Sequence, residues 1–409
     1  MKKKYEITDR IIEYSVYVYI VFMFLSKGES IRNIIIFGTF TLWLLSLKHR
    51  GNRYLLKDPV AKLCWLYVGA LFISALLSID PLYSLSELKG GPRKFLLMFP
   101  VIATVMANPH GLKRVAYVSM FTSLIIVSLG YYSFIAHDLS VLKPDVPLMH
   151  VWHNKFAKYL NTLLPFAFVL FFIWKKRWHR VLFFSIFVLS VIALILSTSR
   201  GGYLAFLSMA IIWSVFLAKT EGYNLKKLLM RMLALALVVI VLSWLAFPVV
   251  QNRLASLSID MRDVNGRIVA WEAAIQSVRQ RPLLGWGYGK EIFHRDDIFE
   301  NTKYKKRPIY RNMMAFDDPH NTFLSVLFHQ GIVGLITYVS LIVLSIRVFW
   351  KEAFMASGVK SYILMACVSI LVGNYIVHSM FTLLRLQDLA VVLGLGLAAK
   401  NIKNENSHN

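Results

Sequence analysis

The sequence predicts an all-α, polytopic integral membrane protein with about twelve transmembrane helices and a helical loop domain on one face. Three observations predict this. Hydrophobic residues make up 57% of the 409 positions against 17% charged, and the mean hydropathy is +0.56. Apolar runs recur along nearly the whole chain, so the prior of two or three soluble domains that length alone suggests is overruled. One long polar excursion, roughly residues 249–319, interrupts them. The expected division is nine transmembrane helices over residues 1–248, a periplasmic-type loop domain with amphipathic helices over 249–319, three transmembrane helices over 320–400 and a tail, 401–409. No internal repeat or low-complexity segment is evident.

The spans read in order as roughly 11–26, 31–47, 60–78, 95–108, 115–136, 159–174, 181–198, 202–218, 228–248, 321–346, 361–378 and 386–399. The basic start Met1-Lys2-Lys3-Lys4 leads into a first span with no small-residue cleavage site, so this span is expected to stay in place. The net charge of +24 has a simpler source than nucleic-acid binding. With the N-terminus inside, Lys48, Arg50, Arg53 and Lys57 share one inner loop, and Lys175, Lys176 and Arg177 share another. The outer short loops are poorer in Lys and Arg. This positive-inside pattern predicts an even number of spans with both termini cytoplasmic. Cys64 and Cys367 both fall in apolar runs and read as core residues, with no disulfide or metal framework.

The long loop reads as ordered. Asp263-Val264-Asn265-Gly266 is a helix-start signal. Ile268, Trp271, Ala274, Ile275 and Val278 then recur at helical spacing, and Arg279-Gln280-Arg281-Pro282 stops the helix. Leu284-Gly285-Trp286-Gly287-Tyr288-Gly289 reads as a tight glycine-rich turn. No strand precedes it, so it is not a nucleotide fingerprint and a nucleotide donor is not expected.

Two basic sites flank the excursion. Arg200 lies in Ser197-Thr198-Ser199-Arg200-Gly201-Gly202, where glycines permit close backbone approach to a ligand. The plain alternative is a snorkelling arginine at a span end, the reading given to Arg93 and Arg385. Arg267 follows Gly266 in the first turn of the loop helix, where a cation opposes the helix dipole and so points to an anion outside the helix. Its alternative is a salt bridge to Asp260 or Asp263. His320 follows Asp317-Asp318-Pro319, and Asn321 opens a long apolar helix. A helix N-terminus favours the neutral imidazole, whereas Asp318 stabilises the cation. A capping histidine is the alternative. His329 lies about 180° around a regular helix from His320 and reads as structural. The pairs Asp296-Asp297 and Asp317-Asp318 read as solvated loop charge in preference to a metal site. Two arginines and a histidine at one membrane edge suggest an anion clamp beside a proton acceptor.

These residues resemble the bacterial O-antigen ligase family, which also contains O-antigen polymerases. The motifs are Thr198-Ser199-Arg200-Gly201 with Gly202, Gly266-Arg267 followed by Trp271, Pro282-Leu283-Leu284-Gly285-Trp286-Gly287, and His320-Asn321-Thr322-Phe323-Leu324 with Gly331 and Gly334 downstream. Each is short; their order around one loop carries the resemblance, which spans nearly the whole chain. It implies a GT-C type architecture in the bacterial inner membrane with the active site on the periplasmic side. It implies metal-independent, inverting transfer of O-antigen polysaccharide from undecaprenyl diphosphate to the terminal sugar of lipid A–core, with no cofactor. Arg200 and Arg267 would hold the diphosphate, His320 would take the acceptor's proton, and Ser199, Gly201, Gly266 and Asn321 would support them. The partners implied are the lipid-linked donor, the lipid A–core acceptor and membrane lipids. The competing readings are an O-antigen polymerase, a protein-directed oligosaccharyl transferase and a lipid-linked glycan transporter. A transporter would place its polar groups at midplane and often show repeats.

Overall fold

A computed structural model describes residues 2–47, 54–137, 141–246, 251, 261–295, 298, 318–383 and 385–402. Helices α1 (Lys2–Phe22), α2 (Glu29–Ser46), α3 (Tyr54–Lys57), α4 (Pro59–Leu76), α5 (Pro81–Glu87), α6 (Gly91–Val105) and α7 (Pro109–Ala136) come first. A two-stranded antiparallel ribbon follows, β1 (Asp145–Val146) on β2 (Met149–His150), with Asp145 opposite His150. Then come α8 (His153–Ile173), α9 (Arg177–Leu196), α10 (Arg200–Thr220), α11 (Leu225–Ala246), α12 (Met261–Val278), α13 (Lys290–Phe293) and α14 (Thr322–Met355). α15 (Gly358–Ile370) runs on through a π-helical stretch, Leu371–Val377, and a 3₁₀ turn, His378–Met380, before α16 (Leu386–Lys400) closes the bundle. The ribbon is the one departure from the all-α expectation among the described residues.

Each predicted span falls on one of these helices. Seven helices are long and apolar enough to cross a membrane among the described residues: α4, α7, α8, α9, α10, α14 and the α15 unit to Met380. Several starts are fixed by short-range chemistry. Asp58 accepts from the Val60 and Ala61 amides at 2.8 and 3.4 Å ahead of Pro59, and Asn108 accepts from Gly111 at 2.6 Å ahead of Pro109. These are N-caps followed by proline at the first helical position. α16 is buried along its length from Leu386 to Ala399 and packs on α6, α14 and α15. A helix apolar on all sides belongs in the interior. Its small residues allow that packing: a Cβ on Gly394 would stand 2.9 Å from Ile102 and one on Gly396 2.2 Å from Phe349. Cys64 and Cys367 are free and buried, as expected of core residues.

The helix after His320 is not regular. α14 breaks at Gly331, where φ is +63° and ψ −164°. A break inside a membrane-spanning helix frees backbone groups that lipid cannot satisfy. The loop Pro282–Gly289 takes them. The Trp286 and Gly287 amides donate to the carbonyls of Phe328 and His329, both at 3.0 Å. In return the Ile332 and Val333 amides donate to Pro282 and Leu283 at 2.8 and 3.2 Å. Ser74 of α4 donates to the His329 carbonyl at 2.7 Å, and Ser78 to that of Trp286 at 3.0 Å. Two backbones can approach so closely only without side chains between them. A Cβ on Gly285 (φ +67°) would lie 2.5 Å from the Phe328 carbonyl oxygen, and one on Gly331 2.3 Å from that of Leu283.

α12 rests on this junction. It begins at Met261, so Asp263–Gly266 lies inside the helix and is not its start. The predicted apolar stripe is also rotated. Ala270, Ala273, Ala274 and Ser277 are buried against Trp286, Ile292, Phe293 and Phe328, whereas Ile268 and Ile275 remain 42% and 46% exposed. Bulky side chains, Trp286, Phe293 and Phe328 among them, fill the space against α12, so small residues face them. The Trp286 indole donates to the Ser277 carbonyl at 3.1 Å.

Gly285→Ala is therefore expected to lower stability by about 1–3 kcal/mol, from left-handed strain and overpacking together. Gly69→Ala, where a Cβ meets nothing within 4 Å, serves as the neutral control. Thermal unfolding of the purified proteins in detergent measures both, and an unchanged transition in Gly285→Ala would refute the docking role of this glycine.

Candidate functional site

The first basic motif is a turn between α9 and α10. Thr198 has φ +55°, which reverses the chain after Leu196. Ser199 caps α10 by accepting from the Gly202 amide at 3.2 Å, and its hydroxyl donates to Asn154 of α8 at 2.7 Å. Arg200 is thus the first residue of α10 and is exposed. The helix dipole adds positive potential there, on the same side as the guanidinium's charge. The glycines serve packing between helices, a correction to the expected ligand approach. A Cβ on Gly202 would lie 2.7 Å from that of Ala157, and one on Gly201 would lie 2.9 Å from His378 and 3.0 Å from Phe381.

The second motif precedes α14. Asn321 is the N-cap, accepting from Phe323 and Leu324 at 3.0 and 3.2 Å, so His320 lies just outside the helix as expected. Its φ is +49°, an uncommon conformation for a non-glycine residue. Asp318 accounts for it. One carboxylate oxygen accepts from the His320 amide at 2.5 Å and lies 3.7 Å from the His320 Nδ1. Asp318 is 2% exposed while the His320 side chain is 36% exposed. A buried carboxylate thus fixes the turn through the His320 amide and stands near a partly exposed imidazole.

The helix that carries Arg267, α12, is bonded to this turn. The indole of Trp271 donates to the Pro319 carbonyl at 2.8 Å. Arg267 precedes Trp271 by four residues and so shares its helix face. It stands seven residues into α12, so the expected first-turn argument from the helix dipole does not apply. Gly266 is likewise interior to α12. Asp260 lies outside the described residues, as do Asp296, Asp297 and Asp317. Among the described residues no three or more His, Cys, Asp or Glu side chains are grouped to hold a metal ion.

The segment His378–Leu383 joins the two motifs, and sequence reasoning missed it. Gly201 packs on His378 and Phe381, while Thr322 at the start of α14 donates to the Thr382 carbonyl at 2.7 Å. Lys158, 1% exposed, donates to the Leu383 carbonyl at 2.7 Å. The segment leaves α15 through the π-helical stretch, a feature frequent at functional sites. Arg385 corrects another expectation. It does not snorkel: it donates to the Met23 carbonyl at 3.0 Å, stacks 4.5 Å over Tyr159 and lies 3.3 Å from the fully buried Asp388. Lys158, Arg385 and Asp388 were legible only as charges inside apolar runs, which mark function or pairing. Arg93 donates to Asn33 at 3.0 Å and lies over the Phe37 ring at 5.1 Å. His329 is buried with Nδ1 2.7 Å from the Gly287 carbonyl and holds the loop, as its structural reading expected.

Comparison with known proteins agrees with this layout. Residues 185–339 match a family model described as O-antigen ligase, a stretch that includes the Arg200 turn, α12, the glycine loop and the His320 turn. An O-antigen ligase of Salmonella typhimurium LT2 is 24% identical over 341 residues, 81% of this chain and 80% of the relative. An uncharacterized protein of Haemophilus influenzae Rd is 21% identical over 82% of this chain and 83% of its own length. An O-antigen ligase of Pseudomonas aeruginosa PAO1 is 30% identical over 159 residues, 39% of this chain and 33% of that one. Together with the multi-pass helical bundle, these matches make the chain similar to the O-antigen ligase family, most directly over residues 185–339.

Proposed function

We propose that this protein transfers O-antigen polysaccharide from undecaprenyl diphosphate to the terminal sugar of lipid A–core, on the periplasmic face of the bacterial inner membrane. In this reading the chain crosses the membrane twelve times with both termini cytoplasmic. The observation that carries the proposal is the joining of the Arg200 turn and the His320 turn through His378–Leu383, with the Arg267-bearing helix bonded to Pro319. A buried carboxylate, Asp318, stands 3.7 Å from the His320 ring and supports this reading.

The chemistry follows from charge. The leaving diphosphate gains negative charge as the anomeric carbon–oxygen bond breaks, and fixed guanidiniums there stabilise the transition state more than the ground state. Arg200 and Arg267 supply that charge. His320 removes the acceptor hydroxyl's proton as the new bond forms on the opposite face of the sugar, which inverts the anomeric centre. Asp318 stabilises the resulting imidazolium. The apolar helices receive the polyprenyl tail. The competing polymerase reading differs only in the acceptor, and a deletion strain separates the two. Polymeric O-antigen absent from the core, with long lipid-linked chains accumulating, means ligase; core bearing one repeat unit means polymerase.

His320→Ala is expected to reduce transfer by about 10²–10⁴-fold while the protein still inserts and folds. Near-normal transfer by well-expressed His320→Ala would remove histidine from the base role. Arg200→Lys and Arg267→Lys are expected to lose roughly tenfold or more in rate, because an ammonium cannot grip two phosphate oxygens in a plane. The loss should be the same with every acceptor offered; a defect that varied with acceptor would move these residues to acceptor binding. Transfer by purified protein is expected to survive excess EDTA. Complete inhibition reversed by magnesium or manganese would instead assign a metal role to Asp296, Asp297, Asp317 or Asp318.

A further inference from the structure

Beside the His320 turn lies a cavity of about 230 Å³ that the mechanism above does not use. Its polar walls include Glu87 at the end of α5, Tyr288 at the end of the glycine loop, Lys290, Asp318, and His329 and Gln330 at the break in α14. Gln330 is 2% exposed, and its side-chain nitrogen stands 3.4 Å from the Tyr67 hydroxyl while its oxygen has no partner. Whichever way the amide is turned, one end is unmatched. A buried polar group left so calls for a ligand or water, since an unmet hydrogen bond costs about 1–3 kcal/mol.

The lining chemistry selects the ligand class. Two carboxylates, Glu87 and Asp318, stand against one ammonium, Lys290, so a diphosphate is repelled. Carboxylates and an amide oxygen accept from hydroxyl donors. His329 Nδ1 faces the Gly287 carbonyl and must donate to it, so in the neutral ring Nε2 is an acceptor. Burial pushes the Tyr288 hydroxyl up, which keeps it a donor. The Tyr67 and Ser325 hydroxyls and Lys290 add donors, so the lining both donates and accepts, as the hydroxyls of a polyhydroxylated neutral ring require. The volume lies below the roughly 300–1,000 Å³ of drug-sized sites and suits one ring rather than an oligosaccharide. Asp318 is both a wall of the cavity and the carboxylate bonded to the His320 amide.

We infer that this cavity is the subsite for the acceptor's terminal sugar, with Gln330 and Glu87 setting acceptor affinity. The inference rests on the transferase reading above. Glu87→Gln keeps size and removes charge; Gln330→Leu removes the amide. With purified protein, each is expected to raise the KM for acceptor by about tenfold, which is about 1.4 kcal/mol, and to leave the KM for donor within about twofold. A rise in donor KM instead, or no change in either, overturns the assignment. A parallel measurement does not need turnover: binding of the deacylated core oligosaccharide, followed by calorimetry. The wild type is expected to bind, and Glu87→Gln to bind about tenfold more weakly. If the wild type transfers no glycan yet shows this binding difference, the transferase reading fails and the sugar subsite stands. If the wild type binds no oligosaccharide, or both variants bind as the wild type does, the subsite is wrong. Should Gln330→Leu, one residue from the break at Gly331, fail to fold, Glu87→Gln decides alone, because α5 lies outside the break.

Discussion

The structure turns on an exchange of backbone hydrogen bonds between an interrupted membrane helix and the loop that repairs it. The break at Gly331 would leave amides and carbonyls unmet in an apolar setting, a cost of several kcal/mol per group. Pro282–Gly287 meets them from outside the helix, donor for acceptor and acceptor for donor. The consequence is positional. The loop cannot be released without exposing the break, so α12, packed on Trp286 and Phe328, is held over the start of α14. Trp271 then reaches Pro319, and Arg267 shares its face. An irregular helix is thus what brings α12 onto the turn that carries His320.

A second constraint works beneath the first. Arg385 and Asp388 lie in the bundle interior, where an unpaired charge is expensive, and they face each other across 3.3 Å. Lys158 is buried beside the Tyr375 ring and has its ammonium on the Leu383 carbonyl. These charges fix the far side of His378–Leu383, whose near side carries Gly201 and Thr322. The candidate site is therefore supported from the loop above and from buried charge below. Its candidate residues Arg200 and His320 lie at short turns, Thr198–Arg200 and Asp318–Asn321, between helices.

Much of this was legible in the sequence, because hydropathy and caps are local. The apolar helices, the glycine turn and the position of His320 before an Asn-capped helix all follow from neighbouring residues. What was hidden is non-local. The stripe Ile268, Trp271, Ala274, Ile275 and Val278 has helical period, but the buried face is Ala270, Ala273, Ala274 and Ser277, because the partner side chains Trp286, Phe293 and Phe328 are large and come from elsewhere in the chain. The break at Gly331 leaves no trace in hydropathy, since the helix resumes at once. Gly201 and Gly202 looked like ligand-approach residues and are contact points for His378, Phe381 and Ala157. Arg385 looked like a span-end arginine because its partners, Met23, Tyr159 and Asp388, are distant in sequence or buried in the next helix.

The central claim is that Arg200, Arg267 and His320 surround one diphosphate-sugar linkage. The most direct measurement is an experimental structure of the protein in a lipid nanodisc with a non-hydrolysable undecaprenyl diphosphate-sugar bound. The account predicts phosphate density between the Arg200 and Arg267 guanidiniums, with the anomeric carbon facing the imidazole of His320 and the polyprenyl chain along the apolar helices. Diphosphate density held by other residues, with His320 remote from the anomeric carbon, would contradict it.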